Sequence, residues 1–161
     1  LDIAKAFAEN LKTIHNELEE DLDDLDFINR MRLKNMQDVK DNYLTASYNY
    51  DELCEYLDKR DSPKVVIINS ATYFFKDLQQ YFDFTNKYKR KKIIIISGMA
   101  KSNNPYSELE TKIMYDANKK IFVAGYQALC KGRTIGPNGG IYIIWAEGYE
   151  KVRGAQEKNE K

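Results

Sequence analysis

Two cations separated by one glycine, Lys131 and Arg133, precede a turn rich in glycine and proline in this 161-residue chain. The turn covers residues 134–140, and the apolar run of residues 141–145 follows it directly. Turn residues between two strand-like segments predict a β-hairpin. Such a hairpin can carry Lys131 and Arg133 to an anion on another surface, for example a nucleotide phosphate. The alternative interpretation is a solvated hairpin with ordinary surface cations.

Small polar residues also follow two other apolar runs. Asn69 and Ser70 lie where residues 64–69 end, and Ser97 and Gly98 lie where residues 92–97 end. Both runs are short and β-branched, which is typical of strands buried in a parallel sheet. Ligands of such sheets bind beyond the carboxyl ends of the strands, so these residues are candidates for a ligand site. The alternative is that small polar residues simply begin the loops.

No metal ligand is predicted. Cys54 and Cys130 lack metal-ligand spacing and are interpreted as structural thiols of a reducing cytosol, and His15 has no partner cluster. Seven carboxylates alternate with leucines near the amino end: Glu17, Glu19, Glu20, Asp21, Asp23, Asp24 and Asp26. They could hold a hard cation, but they lack the loop glycine and the alternation of a calcium site. A solvated acidic helix face is the preferred interpretation.

The elements that must position these residues fall into two halves. All eight glycines lie between Gly98 and Gly154, so residues 1–97 contain none. Apolar spacing predicts helices over residues 1–11, 18–31 and 50–59, the last with a capping box. Strands (64–69, 92–97, 120–123) and helices (75–88, 107–114) then alternate up to the hairpin. This order predicts an α/β fold, a mostly parallel sheet flanked by helices, in one domain of residues 1–152 with a disordered charged tail at 153–161.

In this order, residues 64–145 resemble the second half of a RecA-like ATPase core, especially that of DnaB-type replicative helicases and their phage or mobile-element relatives. Residues 65–70 resemble the Walker B strand, which normally ends in Asp followed by Ser or Tyr, and residues 93–97 resemble the next strand, whose end senses the nucleotide. The Asp116-Ala117 pair before residues 121–123 is similar to a segment of that family. Lys131-Gly132-Arg133 resembles the Lys-x-Arg hairpin that reaches into a neighbouring subunit's ATP site.

The first half is similar to the same family over shorter stretches. Residues 1–11 resemble the helix that follows the phosphate loop, and Glu17-Leu18-Glu19 resembles the segment of the catalytic glutamate, with Glu19 as the preferred residue. The strand expected between these two pieces is predicted to be missing, because residues 12–15 are too short to supply it.

The resemblance implies a RecA-like ATPase of helicase type that acts on DNA. It implies ATP and Mg²⁺ as cofactors, single-stranded DNA as a partner and a homo-oligomeric ring or filament. Its site residues are then Glu19, Lys131 and Arg133 for catalysis, Asn69, Ser70, Ser97 and Gly98 for the cofactor, and Lys101, Ser102 and Asn103 for nucleic acid. An arginine inserted from a neighbouring subunit accelerates hydrolysis by several powers of ten.

Three departures from the family pattern favour a weakened ATPase. The phosphate loop G-x-x-x-x-G-K-[ST] is absent, Asn69 stands at the Walker B aspartate, and Gly98 stands where a polar sensor is usual. The chain opens on a helical pattern without methionine, which suggests a fragment or a chain whose preceding residues are missing. If it begins just after that loop, the missing loop is a property of the fragment and not of the protein. The alternative function is a catalytically degenerate RecA-like structural or regulatory subunit, and a further one is an unrelated α/β domain.

The overall charge gives no argument for nucleic acid or membrane, because Lys+Arg and Asp+Glu each number 25. A basic cluster at residues 87–92 could contact phosphates, but complementing a helix dipole is the simpler explanation. No apolar run reaches membrane length and no signal peptide is visible, so a cytoplasmic protein without a membrane partner is expected.

Overall fold

The computed structural model describes residues 1–101, 104–132 and 140–159, with side chains up to residue 154. The chain divides into two compact units, Leu1–Ile113 and Met114–Lys161. A four-stranded parallel sheet flanked by helices forms the first, and antiparallel sheets accompany it. The predicted α/β class is therefore confirmed, and the single domain over residues 1–152 stays a prediction.

The first unit begins with alternating helices and strands, numbered in chain order. Its helices are α1 (Asp2–Ala8), α2 (Leu25–Leu33), α3 (Tyr50–Asp58), α4 (Ala71–Phe74), α5 (Leu78–Tyr88) and α6 (Glu108–Asp116), with a 3₁₀ helix at Met36–Val39. Its strands are β1 (Thr13–Glu17), β2 (Tyr43–Ala46), β3 (Val65–Asn69), β4 (Ile93–Ile96), β5 (Ala100–Lys101) and β6 (Asn104–Pro105). The parallel sheet has the order β2-β1-β3-β4, and β5 and β6 form a separate antiparallel pair.

The strand predicted to be missing is present, and it is central. All five residues of β1 are buried, and β1 pairs with both β2 and β3. The prediction was wrong because it ended this segment at His15 and judged it too short, whereas the strand continues through Asn16 and Glu17. Polar residues such as these can be buried when they are hydrogen-bonded. Asn16 shows this, since its Nδ2 donates to the Tyr48 carbonyl at 2.8 Å and its Oδ1 accepts from the Tyr48 N–H at 2.8 Å.

The acidic segment is a loop followed by a shorter helix than predicted. Helix α2 begins at Leu25, where the Asp24 side chain caps it by accepting from the Asp26 N–H at 2.7 Å. A helix over residues 18–24 was therefore a wrong prediction: Asp24 accepts a backbone hydrogen bond as an N-cap, a position that short carboxylates favour. The capping box of Asn49 and Glu52 on α3 is confirmed.

The two faces of the sheet carry two cores. Because side chains alternate along a strand, Val65 and Ile67 pack with Ala4 and Ala8 of α1, whereas Val66 and Ile68 face the opposite core. That second core is rich in aromatic rings, with Phe84 completely buried. Burying an aliphatic or aromatic side chain contributes about 1.5–3 kcal/mol, so these two layers hold the strand ends in place.

The second unit is an antiparallel sheet followed by a helix. Its elements are β7 (Lys119–Ala124), β8 (Gln127–Gly132), β9 (Gly140–Ile143) and α7 (Ala146–Asn159), and the strands pair in the order β7-β8-β9. The strand predicted at residues 120–123 is confirmed. Gly125 and Tyr126 both have positive φ angles, which suits the two-residue turn between β7 and β8. Residues 133–139, at the predicted hairpin turn, lie outside the described residues, and α7 extends into the segment predicted as a disordered tail.

None of the helices described in the structure is both long and apolar enough to cross a membrane.

Candidate functional site

Three neighbouring strands end in polar side chains that are hydrogen-bonded to one another. Glu17 ends β1 and lies in register with Asn69, which ends β3, while Ser97 directly follows β4. Asn69 Nδ2 donates to Glu17 Oε1 at 2.8 Å and to Oε2 at 2.7 Å. The hydroxyl of Ser97 donates to Asn69 Oδ1 and also lies 3.2 Å from the Ile68 carbonyl. We call Glu17, Asn69 and Ser97 the edge chain.

Glu17 is a buried carboxylate, with only 2% of its surface exposed. Besides Asn69, its Oε1 accepts from the N–H groups of Glu19 at 3.0 Å and Glu20 at 3.3 Å. Burying an ionised carboxylate without partners is very unfavourable, so these donors are what allow the charge to sit inside the fold. They also leave Oε1 with three donors, which is a full complement for a carboxylate oxygen.

A histidine and a tyrosine extend the edge chain along the sheet. His15 Nε2 lies 3.6 Å from Glu17 Oε2, and His15 Nδ1 lies 2.8 Å from the Tyr43 hydroxyl of β2. Burial lowers the pKa of His15 to about 4, although the charge of Glu17 opposes this change. Burial also raises the pKa of Tyr43, and Glu17 adds to that increase. At neutral pH the imidazole and the phenol are therefore both uncharged, and both lie near the carboxylate of Glu17.

Ser70 carries an unsatisfied buried hydroxyl. It follows Asn69 directly, its residue is 1% exposed, and its Oγ has no hydrogen-bond partner among the described residues. Buried hydroxyls are normally satisfied, so an orphaned one beside a strand end is available to a ligand or a water molecule. Asn69, Ser70 and Ser97 are thus the predicted cofactor-binding residues that the structure brings together.

The other predicted residues lie elsewhere. Glu19 is exposed and touches the edge chain only through its backbone N–H. Lys101 is exposed on β5, and Lys131 is exposed on β8 in the second unit. Arg133, Ser102 and Asn103 lie outside the described residues.

Gly98 and Gly132 both lie where another group approaches the backbone closely. A side chain at position 98 would start 2.9 Å from Oε1 of Glu110, another buried carboxylate. A side chain at position 132 would start 2.7 Å from the Asn118 carbonyl of the same unit. At position 132 the near atom belongs to the backbone, so glycine is needed there, whereas at position 98 the end of the Glu110 side chain would have to shift. The glycine between the two predicted cations therefore reflects tight packing of β8 against the start of β7.

Sequence reasoning missed four residues of this region: His15, Glu17, Tyr43 and Glu110. His15 and Glu17 share a face of β1 with Thr13, but only the pairing of β1 with β3 reveals it, because Val65, Ile67 and Asn69 then lie opposite these three residues. Tyr43 had no sequence signal, because strand β2 brings it in from a distant part of the chain. Glu110 had one, because it follows Ser107 by three residues, the spacing of a capping box at the start of α6.

The described residues contain no group of three or more His, Cys, Asp or Glu side chains that could hold a metal ion. The edge chain supplies one carboxylate, one amide and two hydroxyls, if Ser70 is included. This donor set suits hydrogen bonding to a ligand or the outer support of a hydrated cation.

Compared with models of known protein families and with curated proteins, the sequence matches none.

Proposed function

We propose that the edge chain belongs to a RecA-like nucleotide site of helicase type, which hydrolyses ATP. The observation that carries this proposal is the hydrogen-bonded contact between Glu17, Asn69 and Ser97. The resemblance gives these three segments the roles of catalytic glutamate, Walker B strand and nucleotide-sensing strand. They are separated by up to eighty residues of chain, yet their ends are neighbours at one edge of the sheet. That edge is where α/β sheets bind ligands.

Glu17 is the preferred catalytic carboxylate in this proposal, in place of Glu19. Hydrolysis of a phosphoanhydride needs a group that orients the attacking water and accepts its proton. Glu17 has the fixed position that such a role requires, because β1 is paired with β2 and β3 on its two sides and Asn69 holds the carboxylate. Asn69 orients Glu17, and Ser97 orients Asn69 by occupying its amide oxygen.

Mg²⁺ fits this edge as a hydrated ion whose other ligands come from the nucleotide. Mg²⁺ in nucleotide sites keeps several waters and needs only one or two protein groups. The orphaned hydroxyl of Ser70 and the Asn69 amide would support its water shell, with less charge than an aspartate provides. When bound, the ion neutralises charge on the phosphates.

The phosphate-binding and arginine parts of the proposal rest on the resemblance. The chain has no phosphate loop, so this edge supplies the carboxylate side of the site. Arg133 is proposed to complete a neighbouring subunit's site, with Lys131 beside it, in a head-to-tail ring or filament. Single-stranded DNA is proposed to bind at residues 101–103.

In the natural full-length protein, Arg133→Ala should abolish hydrolysis while nucleotide binding persists, and Arg32→Ala on α2 should change neither.

The decisive experiment compares two neighbouring glutamates. ATP hydrolysis and binding of a fluorescent ATP analogue are measured in the natural full-length protein and in Glu17→Gln and Glu19→Gln. Glu17→Gln should lower turnover by about 10²–10⁴-fold, the usual range for a general base, while analogue binding is retained. Glu19→Gln should leave both unchanged. Absence of ATP binding by the unaltered protein would refute the proposal.

The second candidate function is a RecA-like module that has lost hydrolysis and serves as a structural or regulatory subunit. One observation favours it specifically: Asn69 Nδ2 contacts both oxygens of Glu17, at 2.8 and 2.7 Å, and only 2% of Glu17 is exposed, so water has little access to the carboxylate. This candidate predicts nucleotide binding without turnover, and a Glu17→Gln variant that binds as the unaltered protein does.

A further inference from the structure

Two segments of the first unit bring eight cations to one end of the parallel sheet. Residues 58–64 lead into β3 and residues 87–92 lead into β4, and together they contain eight lysine and arginine residues and two aspartates, a net charge of +6. We call the eight cations the basic end: Lys59, Arg60, Lys64, Lys87, Lys89, Arg90, Lys91 and Lys92. Because the whole chain has a net charge of 0, the rest of it carries −6. The basic end is therefore a local concentration of charge.

Direct contacts hold the two segments together. Strands β3 and β4 are parallel neighbours, and the Ile93 N–H donates to the Lys64 carbonyl at 2.8 Å. The Lys92 ammonium donates to Ser62 Oγ at 2.8 Å and to the Pro63 carbonyl at 2.7 Å. The basic end is thus one surface, built where two adjacent strands begin.

Complementing the helix dipoles explains only part of the basic end. Lys59 and Lys89 are the C-caps of α3 and α5, and Lys87 lies in the last turn of α5, where a cation is favourable. Lys87 also forms a salt bridge with Asp58 at 2.7 Å. Because the dipole effect falls off within the last turn, it does not account for the cations beyond the caps. Four of these are Arg60, Lys64, Arg90 and Lys91.

The same four cations are unpaired. Among the residues that the structure describes, none of the four side chains has a salt-bridge or hydrogen-bonding partner, and all four residues are exposed. Burial lowers the pKa of the neighbouring Lys92 ammonium, and the charges of Lys64 and Lys91 lower that pKa further, although Asp58 opposes them. Like charges held together without partners oppose folding through their repulsion. An anionic partner removes that repulsion.

The side chains of the basic end suit phosphates better than bases. The two segments contain one aromatic ring, that of Tyr88, and it is only 2% exposed, so it is not available for stacking on a single strand. The one serine, Ser62, donates to the Leu57 carbonyl at 2.7 Å and accepts from Lys92, so it is not free for the 2′-hydroxyls that proteins contact in duplex RNA. Charge remains, and the backbone of duplex DNA carries one negative charge per about 1.7 Å of its axis.

The opposite end of the same sheet is acidic. Exposed carboxylates follow β1 at the carboxyl end of the strands, namely Glu19, Glu20, Asp21, Asp23 and Asp24. The two ends are separated by the length of a strand, which is about 17 Å for the five residues of β3. A polyanion is therefore repelled by one end of the unit and attracted by the other, and this asymmetry directs it to the basic end.

We propose that the basic end binds the phosphate backbone of double-stranded DNA without reading its sequence. The basic end lies where the strands begin, whereas the edge chain and Lys101 follow their ends, so the inference does not depend on the proposed function. Four unpaired cations that each neutralise one phosphate predict a slope of about −3.6 or steeper for log K against log salt. This slope corresponds to a loss of about 100–200-fold in affinity between about 50 and 200 mM salt.

The test measures binding of a labelled DNA duplex of about 20 base pairs and mixed sequence to the natural full-length protein, by fluorescence anisotropy over that salt range. Two double variants remove two unpaired cations each: Arg60→Gln with Lys64→Gln, and Arg90→Gln with Lys91→Gln. Each should weaken binding by about 10-fold or more at about 100 mM salt and make the slope shallower by about 1.8.

A matched control neutralises two exposed cations elsewhere, Arg32→Gln with Lys76→Gln. It changes the net charge by the same amount, so unchanged affinity and slope in this variant show that the position of the cations matters. Urea unfolding should show all three double variants to be as stable as the unaltered protein, because the replaced side chains are exposed.

The other outcomes would each overturn the inference. Absence of duplex binding at about 50 mM salt, or an affinity that both basic-end variants leave unchanged, would remove the basic end as a DNA surface. If the variants weaken binding of a single strand or of an RNA duplex of the same length by the same factor, the assignment to duplex DNA is wrong. If the protein self-associates at low salt and the variants abolish only this association, the partner is the acidic end of a second copy.

Discussion

Replacing Asn69 by aspartate provides a direct test of the edge chain. This substitution restores the residue that the Walker B pattern expects, and it puts a carboxylate where an amide now donates to both oxygens of Glu17, at 2.8 and 2.7 Å. Two ionised carboxylates about 3 Å apart repel each other by about 5–6 kcal/mol at an effective dielectric constant of about 20. We therefore expect Asn69→Asp to destabilise the fold at neutral pH, although it looks like a repair.

The protein can avoid this repulsion by keeping one proton on the pair. The pKa of that carboxyl is then raised in the folded state above its unfolded value of about 4. Because the folded state binds the extra proton, the variant loses stability as pH rises above about 4, by about 1.4 kcal/mol per pH unit. The destabilisation relative to the unaltered protein should be about 1–2 kcal/mol at pH 5 and about 5 kcal/mol at pH 7.5.

Urea unfolding followed by circular dichroism at the two pH values measures this difference. The matched control is the exchanged pair, Glu17→Gln with Asn69→Asp, which restores one carboxylate and one amide in contact and should recover most of the stability at pH 7.5. Comparing the two single variants with the double variant isolates the interaction. If Asn69→Asp is as stable as the unaltered protein at pH 7.5, the contact between Glu17 and Asn69 does not exist and the edge chain is wrong.

Three further predictions test the surroundings of the edge chain. Burial lowers the pKa of His15 to about 4, whereas in the unfolded chain the imidazole takes up a proton near pH 6.5, so the free energy of unfolding should fall by about 2 kcal/mol between pH 7 and pH 5. His15→Gln should remove this fall. Denaturation curves with the same pH dependence in both proteins would contradict the prediction. Burial raises the pKa of the Cys54 thiol, which leaves less of the reactive thiolate. In a Cys130→Ser variant, a disulfide reagent should therefore label Cys54 at pH 8 more slowly in the folded protein than in urea. Equal rates would count against the burial of Cys54. Phe84→Ala should lower the free energy of unfolding by about 3–5 kcal/mol, because the ring is completely buried among Tyr50, Phe74, Phe75 and Tyr88; a loss under about 1 kcal/mol would contradict the aromatic core.

The second half of the chain was predictable because its strands are apolar and uninterrupted. Four or more β-branched residues in a row identify β3 and β4, and both strands are confirmed within one residue of the predicted limits. The strand–helix–strand order then implied parallel pairing, which the structure shows. Here the local composition and the overall topology agree, so the sequence alone was enough to predict these two strands and their pairing.

The first half was less predictable because its central strand is polar. Thr13, His15, Asn16 and Glu17 are buried through hydrogen bonds to residues between 2 and 52 positions away, which no local pattern reveals. A glutamate at the end of such a strand also looks, in sequence, like one more member of the acidic segment after it. Only the pairing of β1 with β3 separates the buried carboxylate from the exposed ones.

The contact between Glu17 and Asn69 is also where the two candidate functions separate. Asn69 and Gly98 both depart from the family pattern, and each has a matching neighbour at the sheet edge. The amide of Asn69 contacts the carboxylate of Glu17, and Gly98 leaves space for Glu110. If the protein hydrolyses ATP, the contact of the Asn69 amide with both oxygens of Glu17 is expected to break when the nucleotide binds, so that the carboxylate can orient water. Asn69→Ala removes that amide permanently. If the protein is an ATPase, Asn69→Ala should alter the turnover number more than the affinity for nucleotide. If it is a binding module, turnover should stay at background. Steady-state hydrolysis measured together with analogue binding distinguishes the two.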